Sequence, residues 1–147
     1  MKVKKILLVS SLGLLLASCE KESVPAGLSF EKMYFDNYAF EVGAGDAEIV
    51  VNDISERGDQ KWSVRSVVEV RGKDSTNMDI TSFILNRSDT VTGDWYTIIT
   101  NRWEYRQRSK AKVKLVPNES GEKRTLIVTL HGSMLVPTAF MVTQDSY

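Results

Sequence analysis

Along most of the chain apolar and polar residues alternate one for one. Phe40, Val42 and Ala44 alternate with Glu41 and Gly43, and Ala47, Ile49 and Val51 with Glu48, Val50 and Asn52. Trp62 and Val64, then Val68 and Val70, alternate with Ser63, Arg65, Glu69 and Arg71. The same pattern returns at Val113 and Leu115, at Leu126, Val128 and Leu130, and at Phe140 and Val142. Successive side chains of a strand point to opposite faces, so each run predicts a strand with one buried face. In this phase Val68 and Val70 share the apolar face, and Glu69 and Arg71 share the polar one.

Turn residues separate the runs. Gly43-Ala44-Gly45-Asp46, Arg57-Gly58-Asp59, Arg71-Gly72-Lys73-Asp74 and Thr92-Gly93-Asp94 are four such clusters. Pro117-Asn118-Glu119-Ser120-Gly121 and His131-Gly132-Ser133 are two more, and Asn118 ahead of Gly121 suits a turn with a left-handed residue. Strand-length segments at this spacing, with no helical period, predict an all-β fold: a single antiparallel β-sandwich. The stretch from Lys73 to Thr92 is polar around one apolar island, Phe83-Ile84-Leu85, and reads as an extra hairpin or an ordered loop.

The first residues follow another rule. Lys2, Lys4 and Lys5 precede an uncharged run from Ile6 to Ala17. About 12 residues span roughly 18 Å as a helix, short of a membrane crossing. A basic start and a short apolar core make a secretory signal peptide over residues 1–18. It ends in Leu16-Ala17-Ser18-Cys19, which resembles the bacterial lipobox, where cleavage precedes a cysteine that is then lipidated. Cys19 is the only cysteine in the chain. Residues 19–27 are then the lipidated cysteine and a polar tether, and residues 28–147 the folded domain. Acyl chains on Cys19 would hold the protein on a membrane. Glu20-Lys21-Glu22-Ser23 resembles the export signals of surface lipoproteins. The expected location is therefore the outer membrane, lipid-anchored and facing the cell surface, with a periplasm-facing anchor as the alternative.

Composition narrows the classes. Hydrophobic residues make up 42% and charged residues 26%, too apolar a mixture for a disordered chain. Basic and acidic residues number 19 each; losing residues 1–18 removes three lysines and no acid, leaving 16 against 19. That balance lacks the basic excess of a nucleic-acid binder. A lone cysteine excludes an intramolecular disulfide framework.

Several short motifs lie in a recognisable order. Trp62-Ser63-Val64 comes first, then Asp94-Trp95-Tyr96-Thr97-Ile98 and Ala111-Lys112-Val113-Lys114-Leu115. An Asn118-containing turn leads to Arg124-Thr125 at the head of Leu126-Ile127-Val128-Thr129-Leu130, and Val142-Thr143-Gln144 closes the chain. This looks like the BACON domain of Bacteroidetes, a small immunoglobulin-like β-sandwich. The resemblance covers residues 38–147, with an insertion at about 69–93. It implies binding of glycan or mucin, or a spacer role beside carbohydrate-active enzymes.

No catalytic set emerges. His131 is the only histidine and sits beside Gly132; there is no Gly-x-Ser-x-Gly, phosphate loop or histidine-rich metal spacing. The expectation is a non-enzyme without cofactor or metal. Asp46, Glu48, Asn52, Asp53, Glu56 and Asp59 offer oxygens for calcium but lack the spacing of a calcium loop. The aromatic residues Trp95, Tyr96, Trp103 and Tyr105, with Arg102 and Glu104 among them, are the candidates for glycan binding. Flat rings stack on sugar faces while polar neighbours bond hydroxyls. A second aromatic group, Phe30, Tyr34, Phe35, Tyr38 and Phe40, follows the tether; Tyr34 and Phe35 are adjacent, so on a strand they face opposite ways. Ser75 and Thr90 each follow an aspartate, resembling the O-glycosylation motif of the same bacteria. The favoured function is binding of polysaccharide or host glycan. The alternative is a structural or adaptor lipoprotein docking to a protein partner in an outer-membrane complex.

Overall fold

The computed structural model describes residues 31–56, 58, 61–72, 74–79, 89–100, 107–132 and 135–147. Eleven strands are present among them: β1 (Glu31–Lys32), β2 (Ala39–Val42), β3 (Ala47–Asn52), β4 (Trp62–Arg71), β5 (Asp74–Asp79), β6 (Thr90–Thr92), β7 (Tyr96–Thr100), β8 (Lys110–Leu115), β9 (Arg124–Gly132), β10 (Leu135–Val136) and β11 (Thr138–Gln144). One sheet runs β2-β11-β9-β4-β5 and the other β3-β8-β7-β6; β1 and β10 form a small pair. Pairing is antiparallel except at β2–β11 and β1–β10. Taking β3, β4, β5, β7, β8, β9 and β11 as B, C, C′, D, E, F and G gives the immunoglobulin sheets, B-E-D against G-F-C-C′. The fold is an immunoglobulin-like β-sandwich.

The core lies between the sheets. Leu126, Val128 and Leu130 of β9 and Phe140 and Val142 of β11 face Ile49 and Val51 of β3 and Val113 and Leu115 of β8. Trp62 is wholly buried, and Phe35 meets it edge-on at 5.3 Å. Each such aliphatic side chain contributes about 1.5–3 kcal/mol on burial.

The structure places a crossover and changes one expectation from the alternation. The Gly43–Asp46 cluster does not close a hairpin: β2 pairs with β11 and β3 with β8, so the chain crosses between sheets there. The phase of β4 also flips. Val64 pairs with Leu130 and Ser66 with Thr129, leaving Arg65 as an extra residue in a bulge. One extra residue exchanges the two faces beyond it. Val67 is therefore buried, Val68 and Val70 are on the outer face, and Glu69 and Arg71 are on the inner side at the strand's end.

The stretch read as an insertion contributes strands. β5 folds back on β4 with Arg71 opposite Asp74, and β6 joins the edge of the other sheet beside β7. Residues 80–88 between them lie outside the described residues. His131 belongs to β9, opposite Ser63, whose hydroxyl donates to the His131 carbonyl at 3.2 Å.

Candidate functional site

The structure corrects the placement of two glycan candidates. Trp95 and Tyr96 are each 2% exposed and pack edge-on at 5.4 Å. The cause is the polar cluster that closes this end of the sandwich. Trp95 donates from Nε1 to Glu69 Oε2 at 2.9 Å, and the Arg124 guanidinium lies 4.2 Å above its ring. Glu69 reaches that donor because the β4 bulge turns it inward. Burial, together with the neighbouring Glu69 carboxylate, pushes the Tyr96 phenol well above its ordinary range. Gly93 is required opposite Tyr96, because a Cβ there would collide with the Tyr96 ring. Neither ring has a face for a sugar. Trp103, Tyr105, Arg102 and Glu104 lie outside the described residues, as do Cys19 and the tether. Ser75 lies in β5, opposite Val70, and Thr90 is exposed at the start of β6.

The motifs that carried the family resemblance meet in one structural knot. Asn118 is fully buried; its Nδ2 donates to the carbonyls of Glu122 and Asp145 at 2.8 and 2.9 Å, and its Oδ1 accepts from the Ser120 hydroxyl at 2.7 Å. Gly121 completes that turn at φ +75°, as the sequence suggested. Arg124 donates to Gln144 Oε1 at 3.0 Å and to the Val116 carbonyl at 2.6 Å. Gln144 in turn donates to the carbonyls of Gly45 and Val116 at 2.6 and 3.1 Å. These three side chains join both sheets to the β2–β3 crossover.

Among the described residues, the acidic and amide residues weighed for calcium are not gathered. Glu48 binds Lys112 at 2.9 Å, and that hydrogen bond and charge hold its carboxyl below the ordinary range. Asn52 donates to Asp36 at 2.6 Å, while Asp53 is buried and accepts from the Ser55 amide at 2.8 Å. Asp59 lies outside the described residues.

An exposed aromatic ring does occur, in the second aromatic group. Tyr34 and Phe35 point opposite ways, as adjacent residues on extended chain must. Phe35 packs into the core against Trp62 and Phe140, and Tyr34 is 50% exposed. Lys32, Tyr34, Ile54, Ser55 and Glu56 line a groove of about 350 Å³. Ile54 is 58% exposed. Lys32, Ile54 and Ser55 were not among the sequence candidates, and Glu56 was weighed only for calcium; no local pattern in the sequence marks them as one site.

The groove stands on fixed backbone. The Ile54 amide donates to the Tyr34 carbonyl at 2.9 Å, and the Tyr34 amide donates to Ser55 Oγ at 2.9 Å. Beneath them Phe35 bridges Asp53, and Arg108 Nη1 donates to the Asp53 and Ser55 carbonyls, each at 3.1 Å. Tyr34 and Ile54 are thus held side by side before any ligand arrives, which lowers the ordering cost of binding.

No family model and no curated protein matches the chain. Solved structures do. A Bacteroides thetaiotaomicron protein determined by NMR matches with a TM-score of 0.57 at 20% identity, over 85% of this chain and 95% of that one. A Bacteroides ovatus GH5 xyloglucanase, solved in complex with a XXXG heptasaccharide, matches at a TM-score of 0.46 and 11% identity over 79% of this chain and 19% of its own. Murine CRIg matches at 0.34 and 11%, over 79% of this chain and 97% of that one. What the chain shares with the Bacteroides thetaiotaomicron protein is its fold, the sandwich derived above from strand order and register.

Proposed function

We propose that this chain is a BACON-like surface lipoprotein of the outer membrane that retains polysaccharide or host glycan without transforming it. One observation carries the reading: Tyr34 presents an exposed ring on rigid backbone beside Ile54, with Lys32, Ser55 and Glu56 around it. Sugar rings stack their C–H faces on aromatic rings, and the polar rim supplies partners for hydroxyls. At about 350 Å³ the groove is at the small end of ligand sites, which run from about 300 to 1,000 Å³, and suits a short stretch of saccharide.

Tyr34→Ala in the mature protein is expected to weaken retention on a glycan array about tenfold, the equivalent of one lost stacking contact. Its melting temperature should stay near that of the parent, because the ring is half exposed. A parent protein that retains no glycan overturns the reading.

The anchor has a test of its own. Cys19→Ser is expected to move the protein from the membrane fraction to the soluble fraction, since the acyl chains supply the binding. Continued membrane association would place the attachment elsewhere.

A further inference from the structure

The groove at Tyr34 holds charges and hydrogen-bonding groups that the fold does not spend. Lys32 and Glu56 both line it, yet among the described residues neither has an ion-pair or hydrogen-bond partner, and they do not pair with each other. The Ser55 hydroxyl accepts from the Tyr34 amide at 2.9 Å and keeps its own proton to donate. The wall behind repeats the balance of charge. Buried Asp53 accepts from the Ser55 amide through one carboxyl oxygen, while its other oxygen has no partner. The Arg108 guanidinium beside it donates to the carbonyls of Asp53 and Ser55. Front and back, one acid is matched by one base. The groove therefore offers donors and acceptors side by side with no net charge. A cleft built for an anion gathers one sign of charge, which focuses the field on the ligand, and this groove does not.

We infer that the groove selects neutral saccharides and discriminates against uronic, sialylated and sulfated ones; this rests on the reading of the groove as a glycan site and narrows its ligand. A hydroxyl both donates and accepts, so neighbouring sugar hydroxyls can accept from Lys32 and Ser55 and donate to Glu56. For a carboxylate or a sulfate, the attraction of Lys32 is offset by the repulsion of Glu56. Nothing then compensates the water that the anion gives up. The Tyr34 ring adds to the choice, because its face is negative and takes a C–H surface in preference to an anion. Ile54 beside it likewise offers apolar contact only.

The test is a glycan array of matched sets, probed with the mature chain carrying Cys19→Ser, which removes lipid and thiol. Galactan stands beside polygalacturonate, and asialo mucin glycans beside their sialylated and sulfated forms. The neutral members are expected to be retained about tenfold or more better than their acidic counterparts. That retention should hold between about 0.05 and 0.5 M sodium chloride, since no net charge is being screened. Glu56→Gln leaves Lys32 unopposed and should raise retention of the acidic members about tenfold, closing the gap, whereas Lys32→Gln should widen it. A variant that merely folds poorly lowers both members of a set together and leaves their ratio where it was. A parent that prefers the acidic members, retention that falls steeply with salt, or a ratio that neither variant moves overturns this inference and leaves the glycan reading standing. A parent that retains no member of any set overturns both.

Discussion

Trp95→Ala is expected to destabilise the domain by about 3–5 kcal/mol, the range for removing a large buried aromatic side chain. The loss has three parts. A cavity opens where the ring met Tyr96; Glu69 loses the Nε1 donor at 2.9 Å; and the Arg124 guanidinium loses the ring it covers at 4.2 Å. Domains are held by only about 5–15 kcal/mol, so this change alone removes a large share. Thermal melting should fall by roughly 12–20 °C, on the scaling for a domain of this size. Trp95→Phe keeps a ring and loses the hydrogen bond to a charged acceptor, a smaller cost of about 1.5–3 kcal/mol. An alanine variant that melts like the parent but no longer retains glycan would return Trp95 to a ligand surface.

Asn118→Ala is expected to cost about 3 kcal/mol. It strips the carbonyls of Glu122 and Asp145 of the donors that reach them at 2.8 and 2.9 Å, and empties the fully buried site of the Asn118 side chain. Asn118→Asp should be at least as damaging, although it is nearly isosteric. The acid keeps the acceptor for Ser120 but turns a second oxygen, and a negative charge, toward two carbonyl oxygens. Urea titration of both variants checks the order. An aspartate variant as stable as the parent would show that the amide donors carry little of the turn's energy. The sandwich ends would then rest on Arg124 and Gln144, which bind each other at 3.0 Å and share the Val116 carbonyl.

Much of the architecture was legible because alternation is a local property. The runs at 47–52, 113–115, 126–130 and 140–142 lie within strands, with the expected side of each turned to the core. The Tyr34–Phe35 pair was legible for the same reason. The groove was not, because Lys32 and Ile54 are distant in sequence and meet only where the Tyr34 and Asp53 segments cross. Trp95 and Tyr96 misled for a related reason. Polar neighbours suggested solvent, yet Glu69 and Arg124 are bonded to this cluster inside the sandwich.

By itself the sequence determined the period of the strands, the places where the chain turns and the all-β class, since each depends on residues a few positions apart. Only the tertiary structure decided which face each residue occupies beyond the β4 bulge and which sheet each strand joins. A single extra residue at Arg65 reverses the sides of Val68, Glu69 and Val70 without disturbing their alternation. Pairing energy comes from strands far apart in the chain, and no local pattern records it.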